Sequence, residues 1–178
     1  MQIHKIKGKE ITPRGLREKK FNPKEDVDAY LKLQEEVVTR LPLKEVWGNW
    51  KRADLESLCD EDTYMWLYYD GDVLVAMMAM CFNDRTQFDK HAPVPAPFEK
   101  TAILEGTIIH PDYRGNGLQQ QLMRERERIA KSMGFDFMLA TVSPHNAYSL
   151  KNTLALGYKA VGQKQMKRGL RTIFVKEL

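Results

Sequence analysis

An apolar segment that passes through two closely spaced glycines into a helix-forming segment is the feature that most constrains this chain. Residues 108–119 read IIHPDYRGNGLQ. Glycine accepts a positive φ and lets another molecule approach the main chain, and the first amides of the following helix have no partner within that helix. These amides also lie at the positive end of the helix dipole. The segment therefore predicts a strand, a tight turn and a helix that together form a cradle for an anion such as phosphate.

The turn differs from two common nucleotide-binding turns. A dinucleotide-binding turn would have a third glycine at position 120, where the chain has Gln120. Residues that spell G-x-x-x-x-G-K-S/T, as in a nucleotide-triphosphate loop, do not occur. We therefore expect a different phosphate cradle, and the alternative is an ordinary glycine-containing connection between a strand and a helix.

Two sequence blocks carry a resemblance to a known family. Residues 114–119, RGNGLQ, resemble the Q/R-x-x-G-x-G/A motif of the GNAT acetyltransferases, and residues 109–113 resemble the strand end that precedes this motif. Residues 146–149, NAYS, followed by Gly157 and Tyr158, resemble the later N-x-x-A/S helix and closing G-F/Y of that family. Gln119 departs from the pattern, because the family usually has glycine or alanine there. A bulkier side chain thus lies near the expected pyrophosphate path.

The resemblance implies an α/β (α+β) fold with a mixed, largely antiparallel central sheet flanked by helices and a splayed parallel pair in its middle. The apolar patterns agree with this order, because predicted strands at residues 101–110 and 135–142 flank a predicted helix at residues 117–133. A strand, a helix and a strand in that order imply a parallel pair. With 178 residues and 43% apolar content, residues 1–178 are expected to form a single domain, and the resemblance implies that this domain is acetyltransferase-like.

The remaining elements are predicted from caps and periodicity. Asn22, followed by Pro23 and Glu25, predicts the start of a helix that Pro42 ends. Asp70 and Gly71 predict a tight hairpin between two apolar strands. Further helices are expected at residues 52–59 and 146–156, strands at 64–69, 73–80, 158–166 and 170–176, and a long loop at 83–100.

Charge, cysteines and apolar runs limit the classes of partner. The net charge of +4 favours anions, and the basic runs at residues 17–20 and 164–168 match no nucleic-acid-reading motif. Cys59 and Cys81 have no closely spaced cysteine or histidine, so neither a metal site nor a disulfide framework is expected. The longest apolar run, residues 73–82, is too short to span a bilayer, and the first residues do not resemble a signal peptide. A cytoplasmic protein without a nucleic-acid or membrane partner is expected.

The resemblance implies acetyl-CoA as co-substrate and direct transfer of its acetyl group to a primary amine of a small molecule or a peptide. It places the pantetheine arm against the backbone of one strand and the pyrophosphate at the glycine turn, with Ile109 polarising the thioester. Asn146 alone would be read as a helix cap. The coenzyme-binding residues implied are Thr107, Ile108, Ile109, Arg114, Gly115, Asn116, Gly117, Leu118, Gln119, Gln120, Asn146 and Ser149.

The catalytic residues are less clearly indicated. The family's usual glutamate and tyrosine positions match Thr141 and Thr153, which cannot serve as base and acid. Glu105 is the first candidate for the base, on a strand face that it is expected to share with Thr107 and Ile109. A surface or paired strand carboxylate is an equally open interpretation of Glu105.

Three further side chains near the expected cleft have titratable groups. Tyr148 is the candidate acid, with a packed aromatic as the alternative. His110 and His145 titrate in a useful range, although structural roles are the more common ones for such histidines.

The resemblance also implies an acceptor pocket of aromatic and acidic residues, which would favour a cationic amine. The alternative interpretation of the same residues is a pair of core tryptophans and a solvated acidic turn. A non-catalytic acyl-CoA-binding regulatory module is the alternative function, and a longer acyl donor and a homodimer are left open. The pocket residues are Trp47, Trp50, Asp60, Glu61, Asp62, Asp84, Asp89 and His91.

Overall fold

The computed structural model describes residues 5–6, 9–10, 15–41, 49–57 and 62–178. In chain order the elements are β1 (Lys5–Ile6), β2 (Lys9–Glu10), β3 (Arg17–Lys20), α1 (Val27–Thr39), α2 (Arg52–Glu56), β4 (Thr63–Asp70), β5 (Val73–Cys81), α3 (Arg85–His91), β6 (Thr101–Ile109), α4 (Leu118–Ser132), β7 (Phe137–Val142), α5 (Ala147–Ala155), β8 (Lys159–Met166) and β9 (Gly169–Glu177). None of the described helices combines the length and the apolar character that crossing a membrane requires.

Seven strands form one sheet in the order β3-β4-β5-β6-β7-β9-β8, and β1 pairs with β2 separately. The neighbours β6 and β7 run parallel, whereas the other neighbours in the seven-stranded sheet run antiparallel. This arrangement confirms the predicted mixed, largely antiparallel sheet with a parallel pair in its middle. The predicted hairpin is also confirmed, because β4 and β5 pair across a turn in which Gly71 has a φ of 61°.

Helices cover both faces of the sheet. On one face, α1 packs Tyr30 and Leu33 against strand residues that include Met77, while Phe88 of α3 packs beside Cys81. On the other face, Leu122 and its neighbours in α4 pack against the sheet, and α5 lies beside α4. The neighbours β6 and β7 therefore lie at the centre of the sheet with helices above and below them.

The first long helix begins later than the sequence predicts. The N-cap of α1 is Asp26, and the Asn22 carbonyl accepts hydrogen bonds from the amides of Glu25 and Asp26 at 3.0 and 2.8 Å. Lys19 binds the Asp26 carboxylate at 2.7 Å and so ties this turn to β3. The predicted start at Asn22 is wrong, because residues 22–26 form a turn that is anchored to the sheet.

The predicted long loop between β5 and β6 is also wrong, since it contains α3. The Asp84 side chain caps this helix by accepting the Gln87 amide at 2.9 Å. A short 3-10 helix, Phe98–Lys100, precedes β6. A helix of seven residues shows too few turns for a clear apolar periodicity, so its cap was the main signal that the sequence offered.

Candidate active site

The glycine turn leads directly into α4. Gly115 and Gly117 have φ values of 82° and 69°, and Gly117 is the N-cap of α4 without a side-chain cap. A Cβ atom at Gly115 would meet nothing within 4 Å, and at Gly117 it would meet only the Gln121 side chain at 3.8 Å. The glycines are therefore required by backbone conformation and not by lack of space. The first-turn amides of α4 are left for an anion.

Neighbouring side chains hold this turn in place. Asn116 is buried, and its Nδ2 donates to the carbonyls of Tyr113 and Arg114 at 3.0 and 3.1 Å. The Arg114 Nε donates to the Ile109 carbonyl at 3.4 Å and connects the turn to the end of β6. Partial burial, and to a lesser extent Arg40, lowers the pKa of the Arg114 guanidinium. Asn116, a predicted coenzyme contact, thus has a clear structural role in the turn.

A gap opens between β6 and β7 beside this turn. The two strands pair only from residues 101–104 to residues 137–140, and no further pairing between them is present in the described part of the chain. The His110 amide donates to the Val75 carbonyl at 2.8 Å, so these two residues form a hydrogen-bonded pair between β5 and β6. Hydrogen-bonded pairs alternate along antiparallel strands, and the backbone groups of Thr107 and Ile109 therefore point away from β5 and into the gap. The backbone groups of Ile108 point towards Met77 in β5, so the expectation that the Ile108 backbone pairs with the pantetheine arm is wrong.

Strand β6 contains an irregular step at Glu105. Ala79 faces Gly106 and Met80 faces Leu104, so Glu105 is an extra residue on β6. A bulge of this kind breaks the two-residue alternation of side chains.

The bulge separates Glu105 from the residues with which it was expected to share a face. Glu105 accepts a hydrogen bond from the Cys81 Sγ at 3.4 Å on the α3 side of the sheet. Thr107 accepts a hydrogen bond from α4 on the other side, and Ile109 packs among the residues that line α4. The expectation that Glu105 shares a face with Thr107 and Ile109 is therefore wrong.

The surroundings of Glu105 favour its protonated form. Burial raises the pKa of this carboxyl, and the Cys81 hydrogen bond opposes that rise. Lys90 and Arg168 also lower the pKa of Glu105, whereas Asp84 raises it. Burial, and then the nearby Glu105, raises the pKa of the Cys81 thiol far above its ordinary range. A carboxylate with a raised pKa is a stronger base than a solvated one.

The predicted acid, Tyr148, lies in the first turn of α5 and is 85% exposed. The alternative of a packed aromatic is therefore wrong for this residue. The usual acid position, Thr153, is buried within the same helix, while Thr141 lies in β7 opposite Ile173.

A polar network joins the starts of α4 and α5. Asn146 caps α5 by accepting the Ser149 amide at 3.1 Å. Gln119 donates to the Ser149 Oγ at 3.2 Å and accepts from the Asn152 Nδ2 at 2.6 Å. Gln120 donates to the Asn152 Oδ1 at 3.0 Å. Gln119, the departure from the family motif, is thus directed towards α5.

The histidines have different roles. His110 Nδ1 accepts the Asp112 amide at 3.2 Å, so its Nε2 carries the hydrogen that is donated to the Glu36 carboxylate at 2.5 Å. This pair joins the end of β6 to α1, and a structural role fits His110. His145 lies between β7 and α5, where its amide donates to the Ser143 Oγ at 3.3 Å. Burial lowers the pKa of His91, whose Nδ1 lies 2.8 Å from the Gln87 carbonyl.

The residues proposed for the acceptor pocket are only partly described. Trp47, Asp60 and Glu61 lie outside the described residues. Trp50 packs against the core with its ring centroid 6.0 Å from that of Tyr30. The acids that are described have local partners, since Asp84 caps α3, Asp89 pairs with Arg85 at 3.1 Å and Asp62 accepts from Asn83 at 3.3 Å.

One buried residue of the site was missed from the sequence. Arg126 of α4 is 1% exposed, and its Nη1 donates to the carbonyls of Ala79 and Gly106 at 2.7 and 2.9 Å. Its Nη2 donates to the Thr107 Oγ1. The four-residue spacing from Leu122 through Arg126 to Ala130, on an apolar face, was the signal that could have found it. Within the described ranges, no group of three or more metal-ligating side chains is arranged to hold a metal ion.

Comparisons with known proteins agree with this geometry. A sequence model described as the acetyltransferase (GNAT) family matches residues 28–158. No curated protein matches the sequence.

Solved acetyltransferase structures have similar folds. A GNAT-family acetyltransferase from Streptococcus pneumoniae aligns with a TM-score of 0.67 and 14% identity over 92% of this chain and 99% of that one. The ribosomal-protein-S18-alanine N-acetyltransferase of Escherichia coli aligns with a TM-score of 0.68 and 14% identity over 91% and 93%. An acetyltransferase from Thermus thermophilus aligns with a TM-score of 0.66 and 19% identity over 92% and 97%. At these identities the likeness shows the fold alone.

Proposed function

Because the chain belongs to the GNAT acetyltransferase family, we propose that it is an acetyl-CoA-dependent N-acetyltransferase. It transfers the acetyl group directly to a primary amine of a small molecule or a peptide. The observation that carries this proposal is the gap between β6 and β7, which opens beside the uncapped N-terminus of α4. An extended ligand with a phosphate group fits both parts at once.

The residues around the gap fit acetyl-CoA, which supplies the acetyl group as a thioester when it is bound. The first-turn amides of α4 and the Arg114 side chain would hold the pyrophosphate. The backbone groups of Thr107 and Ile109 would pair with the pantetheine arm, as an added strand would. Asn146 uses its side-chain oxygen as a cap, so its Nδ2 remains a donor for the same arm.

The chain's own side chains would handle the protons. A substrate ammonium has a pKa of about 10 and must lose a proton before the amine can attack. Glu105 would take that proton, since burial raises the pKa of its carboxyl and so makes the carboxylate more basic. The Ile109 amide would donate to the thioester oxygen. Tyr148 would return a proton to the departing sulfur.

A second candidate is a regulatory acyl-CoA-binding module. It is favoured by Thr141 and Thr153, which stand where the family's usual glutamate and tyrosine would be expected, and by the exposure of Tyr148. Such a module would bind the coenzyme through the same gap and would release no free thiol.

Calorimetry and a thiol-release assay separate the two. We expect acetyl-CoA to bind the wild-type protein and free CoA thiol to appear saturably when a suitable amine is supplied. Coenzyme binding without turnover across a broad panel of amines and peptides would favour the regulatory module. Failure to bind acetyl-CoA would contradict both.

A further inference from the structure

Arg126 is a buried cation whose hydrogen bonds all go to neutral oxygen atoms. Its three partners are the carbonyls of Ala79 and Gly106 and the hydroxyl of Thr107. Its Nε is buried as well and has no hydrogen-bond partner among the residues that the structure describes. Burial lowers the pKa of the guanidinium to about 10, so the group still carries its charge at neutral pH.

Burying a charge in this position costs desolvation free energy. The packing of the surrounding helix face does not require a charged residue here. Leu122 and Ala130 lie one turn before and one turn after Arg126, and both are fully buried. An apolar side chain would continue this face without desolvating an ion. The guanidinium must therefore contribute something that packing alone does not.

Its hydrogen bonds show what that contribution is. Ala79 and Gly106 face one another on β5 and β6, immediately beside the extra residue Glu105. One nitrogen of Arg126 bridges these two carbonyls, and the other binds Thr107, the next residue along β6. The rigid fork of a guanidinium suits several acceptors at fixed positions, which a lysine ammonium cannot match.

The same helix carries the anion cradle. Arg126 lies eight residues after Leu118, the first residue of α4, which corresponds to about 12 Å along a helix axis. Arg126 thus connects the helix of the cradle to the bulged strand as one rigid unit.

We propose that Arg126 is a positioning residue that holds the bulge of β6, so that Glu105 faces the α3 side of the sheet while the backbone of Thr107 faces the coenzyme gap. The assignment rests on the proposed function, in which Glu105 is the base. Arg126 touches neither substrate, and it acts through the strand.

The test compares Arg126→Lys and Arg126→Met with Arg124→Met, which removes an exposed arginine from the same helix. Hydrogen exchange of the peptide that spans residues 104–108, followed by mass spectrometry, reports on the bulge without any need for activity. Steady-state kinetics give kcat, the KM for acetyl-CoA and the pH profile of kcat/KM.

We expect faster exchange at residues 104–108 in Arg126→Lys and still faster exchange in Arg126→Met, with the rest of the sheet unchanged. The kcat of Arg126→Lys should fall by about 10- to 100-fold, since small misplacements of reacting groups cost this much. Its KM for acetyl-CoA should rise by a smaller factor, because the backbone of Thr107 also depends on the bulge, and the limb of the pH profile that reports Glu105 should move. Arg124→Met should match the wild type throughout.

The proposal would be overturned if a folded Arg126→Lys variant exchanged hydrogen at residues 104–108 at the same rate as the wild type. A rise in exchange spread evenly over the chain would also overturn it, because that result indicates a general loss of stability. If Arg126→Met does not fold, the comparison of Arg126→Lys with the wild type tests the proposal by itself. If the wild type shows no turnover, the proposed function fails, and the exchange experiment still tests whether Arg126 holds the bulge.

Discussion

The two faces of the β6 strand use different kinds of chemical group. At the gap beside β7 and at the start of α4, the site consists of main-chain amides and carbonyls that two glycines and a strand separation expose. Facing α3, it consists of side chains, with Glu105 and Cys81 in direct contact. A site made of backbone needs only a few residue types at fixed spacing. A site made of side chains depends on the face of the sheet on which each side chain lies. A single bulge moves the side chains on one side of it to the opposite face.

This contrast predicts that the two faces can be damaged separately. Substitutions on the α3 side should impair turnover and leave coenzyme binding intact. Substitutions in the cradle should weaken coenzyme binding first.

Glu105→Gln should lower kcat by about 100-fold or more, because it removes the base, while the Kd of acetyl-CoA from calorimetry stays within about twofold of the wild type. Glu99→Gln, which changes an exposed carboxylate before β6, should have no effect on either quantity. A parallel loss of coenzyme binding in Glu105→Gln would contradict the separation of the two faces.

The same variant should differ from the wild type in the pH dependence of its stability. Since burial raises the pKa of Glu105, the wild type loses stability as the pH rises from the ordinary pKa of a glutamate through the raised one. Glutamine does not ionise. The Tm of Glu105→Gln relative to the wild type should therefore increase with pH across that window in a thermal-shift series.

Gly117→Val should weaken acetyl-CoA binding by about tenfold, because a side chain at positive φ costs about 1–2 kcal/mol and the helix start would shift to relieve it. Gly134→Val is the matched control, since Gly134 has a φ of 89° at the other end of α4. Both variants should lose thermal stability to a similar extent. Only Gly117→Val should lose coenzyme affinity, and equal losses in both would show that the cradle has no special role.

Gln119→Ala should raise the Kd of acetyl-CoA by about fivefold, which corresponds to a net hydrogen-bond contribution of about 1 kcal/mol. The variant loses the contacts that hold Ser149 and Asn152 beside α4. Gln165→Ala, at an exposed position on β8, is the control. Tighter binding by Gln119→Ala would instead mean that this side chain obstructs the pyrophosphate path.

Cys81→Ala should have the smallest effect. The pH dependence of kcat/KM should change, and little activity should be lost at the optimum pH. The Cys81 hydrogen bond lowers the pKa of Glu105, so its removal should raise that pKa further. The acid limb of the kcat/KM profile should move to higher pH, and activity at low pH should fall first. Cys81→Ser keeps a donor and should resemble the wild type, and an unmoved profile in Cys81→Ala would argue against Glu105 as the base.

The parts of the fold that could be predicted from the sequence follow local rules. The hairpin at Gly71 and the strand, turn and helix through Gly117 depend on conformations that few residues other than glycine adopt. The apolar runs that became β5, β6 and β7 are long enough to be recognised alone. The order of these elements then determines which strands are parallel.

The errors have a common physical origin in long-range contacts. Asn22 has the residue type of a helix cap, but Lys19 and Asp26 place the helix start four residues later. Glu105 was assigned to the wrong face because nothing local to β6 reveals the bulge. Arg126 reads as a solvated helix residue unless its neighbours at four-residue spacing are considered together.

The separation of β6 and β7 also bears on self-association. A strand edge with free amides readily accepts a strand from another molecule, which is a common route to aggregation. In this chain the free stretch of β6 lies in the interior of the sheet, flanked by α1 and α4. The outer strand β3 reads REKK and is protected by its charges. The unpaired backbone of β6 is therefore more accessible to a thin, flexible chain than to the edge strand of another folded protein.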